Sequence, residues 1–258
     1  MKSKSIENKG FSLVEMSVVL IIISLIVAGT LSAQSIIHTS KLRFIVTEIQ
    51  SLRIAVDSFK EKFNQLPGDF NNAHKYWGSD CDAVASRCDG NNNGVINWNA
   101  NAGSGGKSND NESHRLWQHL SLGGFIDNKY TGVVVGGDGD TAFAKEDEMY
   151  FSQTKWAKYF VNGTYKIFDR DVPKNHIILG NRNGNIWLKT LTVKDAMHLD
   201  QKMDDGTANT GRVFTMTGGY SIPDDSCSES WRSNTPGKNY NLTNVDNDAL
   251  LCVMSFYF

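Results

Sequence analysis

Apolar positions along this chain follow three different rules, and each rule predicts a different kind of element. Between residues 11 and 37 the only charged side chain is Glu15, set in a run made mostly of Leu, Ile and Val. The 23 residues from 11 to 33 exceed the roughly 20 that a helix needs to cross a bilayer. After that run, Leu42, Ile45, Ile49, Leu52, Val56, Phe59, Phe63 and Leu66 recur at spacings of three and four. Lys41, Arg43, Glu48, Arg53, Asp57, Lys60 and Glu61 occupy other positions between them. This stripe predicts that the apolar helix continues as an amphipathic one. The first proline is Pro67, followed by Gly68, so the expected helix runs over residues 11–66. The stripe needs a cover, either the chain's own C-terminal sheet or, through the same seam, a coiled coil; the sheet is the more economical.

Past Pro67 the third rule takes over, with short elements separated by polar loops. A helix is expected near residues 114–122, with Leu116, Trp117, Leu120 and Phe125 as its apolar side and Gly123-Gly124 as its stop. Thr192 is placed as the N-cap of another short helix. Residues 130–135, 175–180, 184–190 and 212–217 read as strands, and 250–258 as a final half-buried strand in which Phe256 and Phe258 alternate with Ser255 and Tyr257. His74, His114 and His119 are expected at the surface, and Asp204 and Asp205 in a turn.

Charge sets the topology of this arrangement. Lys2, Lys4 and Lys9 precede the apolar run, opposed only by Glu7, which places the N-terminus in the cytoplasm and the rest across the membrane. A carboxylate at membrane depth is costly and is usually paired and functional; a site in the interface near the helix start, where the dipole favours it, is the other reading of Glu15. The chain carries a net charge of −2 over 258 residues, without the basic footprint of a nucleic-acid binder. With 23 Gly and only 4 Pro, the part beyond the helix is expected to be rich in loops and strands.

The four cysteines, Cys81, Cys88, Cys227 and Cys252, all fall on the exported side, where an even count predicts two disulfides. Spacing favours Cys81 with Cys88 and Cys227 with Cys252. Residues 89–96 fit the first eight places of an EF-hand-type calcium loop. Asp89, Asn91 and Asn93 alternate as oxygen donors, the Val95 carbonyl adds another, Gly94 permits the turn, and Ile96 points to the core. The twelfth place is Ala100 rather than Glu, and Glu112 supplies the missing carboxylate if the intervening loop folds out of the way. The competing reading is a loop of Asx turns that binds nothing.

The start of the chain, Lys9-Gly10-Phe11-Ser12-Leu13-Val14-Glu15, resembles the processing site of type IV prepilins and type II secretion pseudopilins. The resemblance implies cleavage after Gly10 by a prepilin peptidase, N-methylation of Phe11, and Glu15 as the assembly glutamate at the fifth place of the mature protein. Cleavage would also remove a leader of net charge +2, leaving −4. Pairing between Glu15 and the new N-terminal amine of a neighbouring subunit would neutralise both charges inside an apolar bundle.

More loosely, the L-P-G-D-F turn at 66–70, the A-x-x-Y-W-G segment at 73–78, the W-x-x-L segment at 117–120 and the L-D-x-K-x-D-D-G stretch at 199–206 resemble a large-headed pilin-like subgroup. The implied architecture is α+β, the pilin fold: a long N-terminal helix packed on a C-terminal antiparallel sheet. Its parts are a leader (1–10), a membrane-spanning half-helix (11–37), an amphipathic half-helix (38–66) and a periplasmic or extracellular head (67–258). The implied partners are the prepilin peptidase, other pilin or pseudopilin subunits and the inner-membrane assembly machinery, with residence in the inner membrane before assembly. A head of roughly 190 residues leans toward a minor or specialised subunit.

An uncleaved signal anchor carrying a periplasmic binding or enzymatic domain shares the topology and lacks only the cut. No nucleophile elbow, HExxH or dinucleotide fingerprint occurs. The acid pairs at 146–148 and 224–225 and the Gly-Asp run at 136–140 read as polar loops, so the expectation is a structural protein rather than an enzyme.

Overall fold

The computed structural model describes residues 12–97, 112–132, 152–153, 158–163, 175–180, 189–217, 226–228, 239–245 and 248–258. Two compact units are distinguished, Met1–Phe44 and Ile45–Phe258. The first helix, α1 (Leu13–Phe63), passes through both.

In the first unit every residue from 12 to 40 is exposed. This half-helix is apolar enough to cross a membrane, and its scattered hydroxyls turn inward on their own backbone. Ser17 donates to the Val14 carbonyl (2.8 Å), Ser24 to Leu20 (2.7 Å), Thr30 to Val27 (2.9 Å) and Ser32 to Ala28 (3.1 Å). Such bonds satisfy the polar groups without water, as a lipid-facing helix requires.

In the second unit the expected stripe is the buried one: Ile45, Ile49, Leu52, Val56 and Phe59 are in the core. That burial within a single chain favours the sheet over the coiled coil as the stripe's cover. The helix stops at Phe63, three residues short of the expected end. Asn64 adopts a left-handed conformation (φ 54°) while its N–H still reaches the Lys60 carbonyl (2.8 Å). An asparagine cap of this kind ends a helix before any proline is met.

The sheet is antiparallel throughout. Strands β1 (Ser152–Gln153), β2 (Lys158–Asn162), β3 (His176–Gly180), β4 (Val213–Thr217) and β5 (Cys252–Tyr257) lie in the order β1-β2-β3-β5-β4. The C-terminal strand is therefore an interior one, paired on both sides, with Ser255 opposite both Ile178 and Phe214. Tyr159 on β2 donates its hydroxyl to Glu48 of α1, fixing the helix to one face.

All six residues of β5 are buried. The half-buried alternation expected for it fails because both faces of this interior strand are covered. Strands β1 and β2 have no counterpart in the sequence reading. Tyr130 lies outside any strand; residues 133–135, 184–188, 136–140, 146–148 and 224–225 lie outside the described residues. Among the described residues the unit also has three shorter α-helices, α2 (Ala73–Trp77), α3 (Glu112–Leu122) and α4 (Val193–Met203). Thr192 caps α4 as expected, its Oγ1 accepting from the Asp195 N–H at 3.1 Å.

Candidate functional site

The chemistry implied at the N-terminus begins on residues 10 and 11; Gly10 and Phe11 lie outside the described residues. The next turn is described. Ser12 precedes α1, and its Oγ accepts the Val14 N–H (3.3 Å). Glu15, three residues on, accepts the Ser12 N–H through Oε2 (2.8 Å). This is a reciprocal capping box, and it folds the Glu15 carboxylate back toward the start of the helix.

In the head, the segment over residues 67–97 holds no strand and only short helical turns such as α2, and much of its backbone is held by side chains of α3. Residues 112–120 of that helix are all buried, polar ones included. Glu112 accepts the N–H groups of Asn91 (2.8 Å) and Asn97 (2.9 Å). Arg115 donates to the carbonyls of Asp89 (2.5 Å) and Ser86 (3.1 Å), and Gln118 to that of Cys81 (2.5 Å). His119 accepts the Gly68 N–H at Nδ1 (2.9 Å), which leaves Nε2 to donate to the Cys88 carbonyl (3.0 Å). Close approach is needed at two glycines: a Cβ on Gly68 would meet the Glu112 carbonyl at 2.4 Å, and one on Gly90 the Asp69 backbone at 2.3 Å.

His114 and His119 are thus buried, contrary to expectation, because α3 is covered on all sides rather than lying amphipathic at the surface. Burial holds the His119 imidazole neutral, its pKa lowered to about 3. Phe59 of α1 stacks on that ring at 6.2 Å.

Of the proposed calcium-loop residues, the structure places the Asn91 backbone on Glu112. Asp69, which the sequence reading passed over, joins them. Its carboxylate accepts the N–H groups of Asn93 (3.1 Å) and Gly94 (2.8 Å). Asn91 and Asn93 accept the N–H groups of Asn93 (3.0 Å) and Val95 (2.8 Å) as Asx turns, while Asp89 turns to the His74 N–H (2.7 Å). Burial, with Asp69 close by, pushes the Glu112 carboxyl up to about 7. The donors are all oxygens, the chemistry a hard cation takes. They are turned on backbone amides, so an ion would have to replace some of these bonds. Ile96 is fully buried, as expected.

Both disulfides have the expected partners, Cys81–Cys88 and Cys227–Cys252. The first ties off the loop held by α3; the second fastens residue 227 to β5. Near it, Asp200, Asp204 and Asp205 place carboxylate oxygens within 4.8 Å of one another. Asp200 accepts the Tyr240 hydroxyl (2.8 Å), and burial raises its pKa to about 6. Asp205 accepts the Thr207 N–H (2.8 Å) and Asp204 the Val213 N–H (3.1 Å), so these two close a turn, as expected.

Among known families, the chain matches the prokaryotic N-terminal methylation motif over residues 7–31. No curated protein and no solved structure matches it. The motif is consistent with the broader type IV pilin and pseudopilin superfamily. Together with the pilin-like fold, it points to a structural subunit rather than a catalytic protein. What the chain is shown to carry is a prepilin-type processing and methylation motif at the head of a long apolar helix.

Proposed function

We propose that this protein is a subunit of a type IV pilus or a type II secretion pseudopilus, of a minor or specialised kind. It is held in the inner membrane with its N-terminus in the cytoplasm, cut after Gly10 by a prepilin peptidase, methylated at Phe11, and drawn by the assembly machinery into a fibre through α1. The observation that carries this reading is one continuous helix with two opposite surfaces. Its first half exposes mainly apolar side chains, with hydroxyls turned on their own backbone and Glu15 as its one charge, and its second half is built into a disulfide-closed head. Lipid covers the first half before assembly and other subunits cover it afterwards.

Mass spectrometry of the N-terminal peptide tests the first step. A peptide that begins at N-methylated Phe11, in both membranes and sheared surface fractions, is expected. An intact N-terminus in cells with a working peptidase would leave a signal anchor and sink the reading. Glu15→Ala is expected to be cut normally and to be lost from fibres.

Calcium at the loop formed by Asp89, Asn91, Asn93, Val95 and Glu112 belongs to the same proposal. Few carboxylates and several amides would give weak affinity, suited to an extracellular site. A calcium-dependent rise in the melting temperature of the head, absent with magnesium and lost in Glu112→Gln, is the expected result. No shift at millimolar calcium would exclude it.

A further inference from the structure

Three Asn-Gly pairs occur in the chain, Asn93–Gly94, Asn162–Gly163 and Asn183–Gly184; the last lies outside the described residues. An asparagine followed by glycine can close on itself, because the glycine nitrogen can attack the side-chain carbonyl carbon with no Cβ in the way. The attack is helped by a base on the glycine N–H and by a donor on the carbonyl oxygen. At Asn93–Gly94 both are in place. Asp69 Oδ2 accepts the Gly94 N–H at 2.8 Å, and the Val95 N–H donates to Asn93 Oδ1 at 2.8 Å. Asp69 is buried, while Asn93 and Gly94 are exposed to water. The turn is held at both ends: the Asn93 N–H donates to Asp69 Oδ1 (3.1 Å), and Asn175 Nδ2 donates to the Gly94 carbonyl (3.0 Å). Asn162–Gly163 is arranged differently. Its Gly163 N–H donates to the Ile96 carbonyl (2.8 Å), a far weaker base than a carboxylate, and Asn162 is paired with His176 in the sheet.

We infer that Asn93 is a self-modification site, deamidated through a succinimide with Asp69 as the general base. Asp69 takes the Gly94 amide proton as that nitrogen bonds to Asn93 Cγ, and the Val95 N–H holds the oxygen that gains charge. Asp69 then returns the proton to Nδ2, the Cγ–Nδ2 bond breaks, and ammonia leaves. Water opens the ring at either carbonyl, giving aspartate or isoaspartate at position 93. The sum is amide plus water to acid plus ammonia, with nothing oxidised or reduced. The product adds a negative charge to a loop that the Asp69 and Glu112 carboxylates hold by its backbone, so a folded head slowly changes the charge of this loop. The inference is independent of both the assembly and the calcium readings.

The experiment uses freshly purified full-length protein in detergent, incubated in neutral buffer made with heavy-oxygen water. Mass spectrometry of the peptide that contains residues 89–97 follows the gain of one heavy oxygen at position 93, and isoaspartyl methyltransferase labels the iso product. A synthetic peptide of residues 88–97 sets the unassisted rate. Position 93 in the folded protein should convert at least about 10-fold faster than the peptide, below the roughly 10²–10⁴-fold that a positioned general base supplies in enzymes, and Asn162 should stay unconverted. Asp69→Asn keeps the shape of the side chain without its basicity and should slow conversion to the peptide's rate or below. Wild type unfolded in guanidinium chloride should fall to the peptide's rate, a comparison that decides the matter alone if Asp69→Asn fails to fold.

Conversion in the folded protein no faster than in the peptide would overturn the inference. So would an Asp69→Asn head that keeps the wild-type melting temperature and converts as fast as the wild type.

Discussion

Residues 12–40 and residues 112–120 invert the usual relation between polarity and burial. The first stretch is mostly apolar, its polar residues largely hydroxyls, and is exposed along its length; the second contains Glu, Ser, two His, Arg and Gln and is buried throughout. In water the apolar helix would be heavily disfavoured, which is why its exposure points to lipid and then to other subunits. The polar helix can be buried because its side chains find donors and acceptors on the backbone of residues 67–97, which has no sheet or long helix of its own. An apolar surface needs only a cover, of almost any shape. A buried polar surface needs specific partners, and it fixes their geometry in return.

The comparison can be broken at its polar end first. Arg115→Ala removes a buried guanidinium and orphans the carbonyls of Asp89 and Ser86, and should cost about 3 kcal/mol or more of head stability. Chemical denaturation measures it, and a loss below 1 kcal/mol would show that α3 is not what holds the loop. Glu112→Ala orphans the N–H groups of Asn91 and Asn97 and should cost about 2 kcal/mol, with faster hydrogen exchange confined to the 91–97 region. Unchanged exchange there would contradict the assignment.

Acidity probes the buried imidazoles. His119 and His176 are held neutral by burial, their pKa values lowered from 6.5 to about 3 and about 4. The unfolded chain takes up these protons below about pH 6.5 and the folded one does not, so stability falls as pH drops from 6.5 toward 4 and then 3. Glu112 acts in the opposite sense: raised from 4.5 to about 7, it contributes fully below pH 4.5 and loses that contribution as pH rises through 7. Among the described residues, neither ring nitrogen of His176 has a hydrogen-bond partner. His176→Phe should therefore flatten the acid limb of a stability–pH profile without weakening the head at pH 7; an unchanged limb would refute it.

The smallest effect belongs to the apolar end. Leu20→Asn should leave the unfolding of the head within about 0.5 kcal/mol of wild type while reducing the share of protein in the membrane fraction. A destabilised head would mean that this half-helix is not simply a surface awaiting a cover.

Local rules of the sequence were enough for the long helix, its buried stripe, the Thr192 cap, the existence of the C-terminal strand and both disulfide pairings, though not for that strand's burial on both faces. Each rests on a periodicity, a cap residue or a short spacing that is visible without knowing what lies opposite. The burial of His114, His119 and Arg115 was not legible. Leu116, Trp117 and Leu120 mark one face of α3, and nothing in the pattern says that its polar faces are covered too. Asp69 escaped notice because its partners, Asn93 and Gly94, lie more than 20 residues further along the chain. Strand β1 has only two residues and takes its register from β2, which takes its own from β3.

The sequence by itself determined the membrane-length helix, its prepilin-type start and the single charge within it, because hydrophobic length and a contiguous motif act locally. Only the tertiary structure decided that a polar helix would serve as the frame for an irregular loop. Hydrogen-bond partners distant in sequence come together only once the chain has folded, and at a buried site those partners determine which polar residues can be held there.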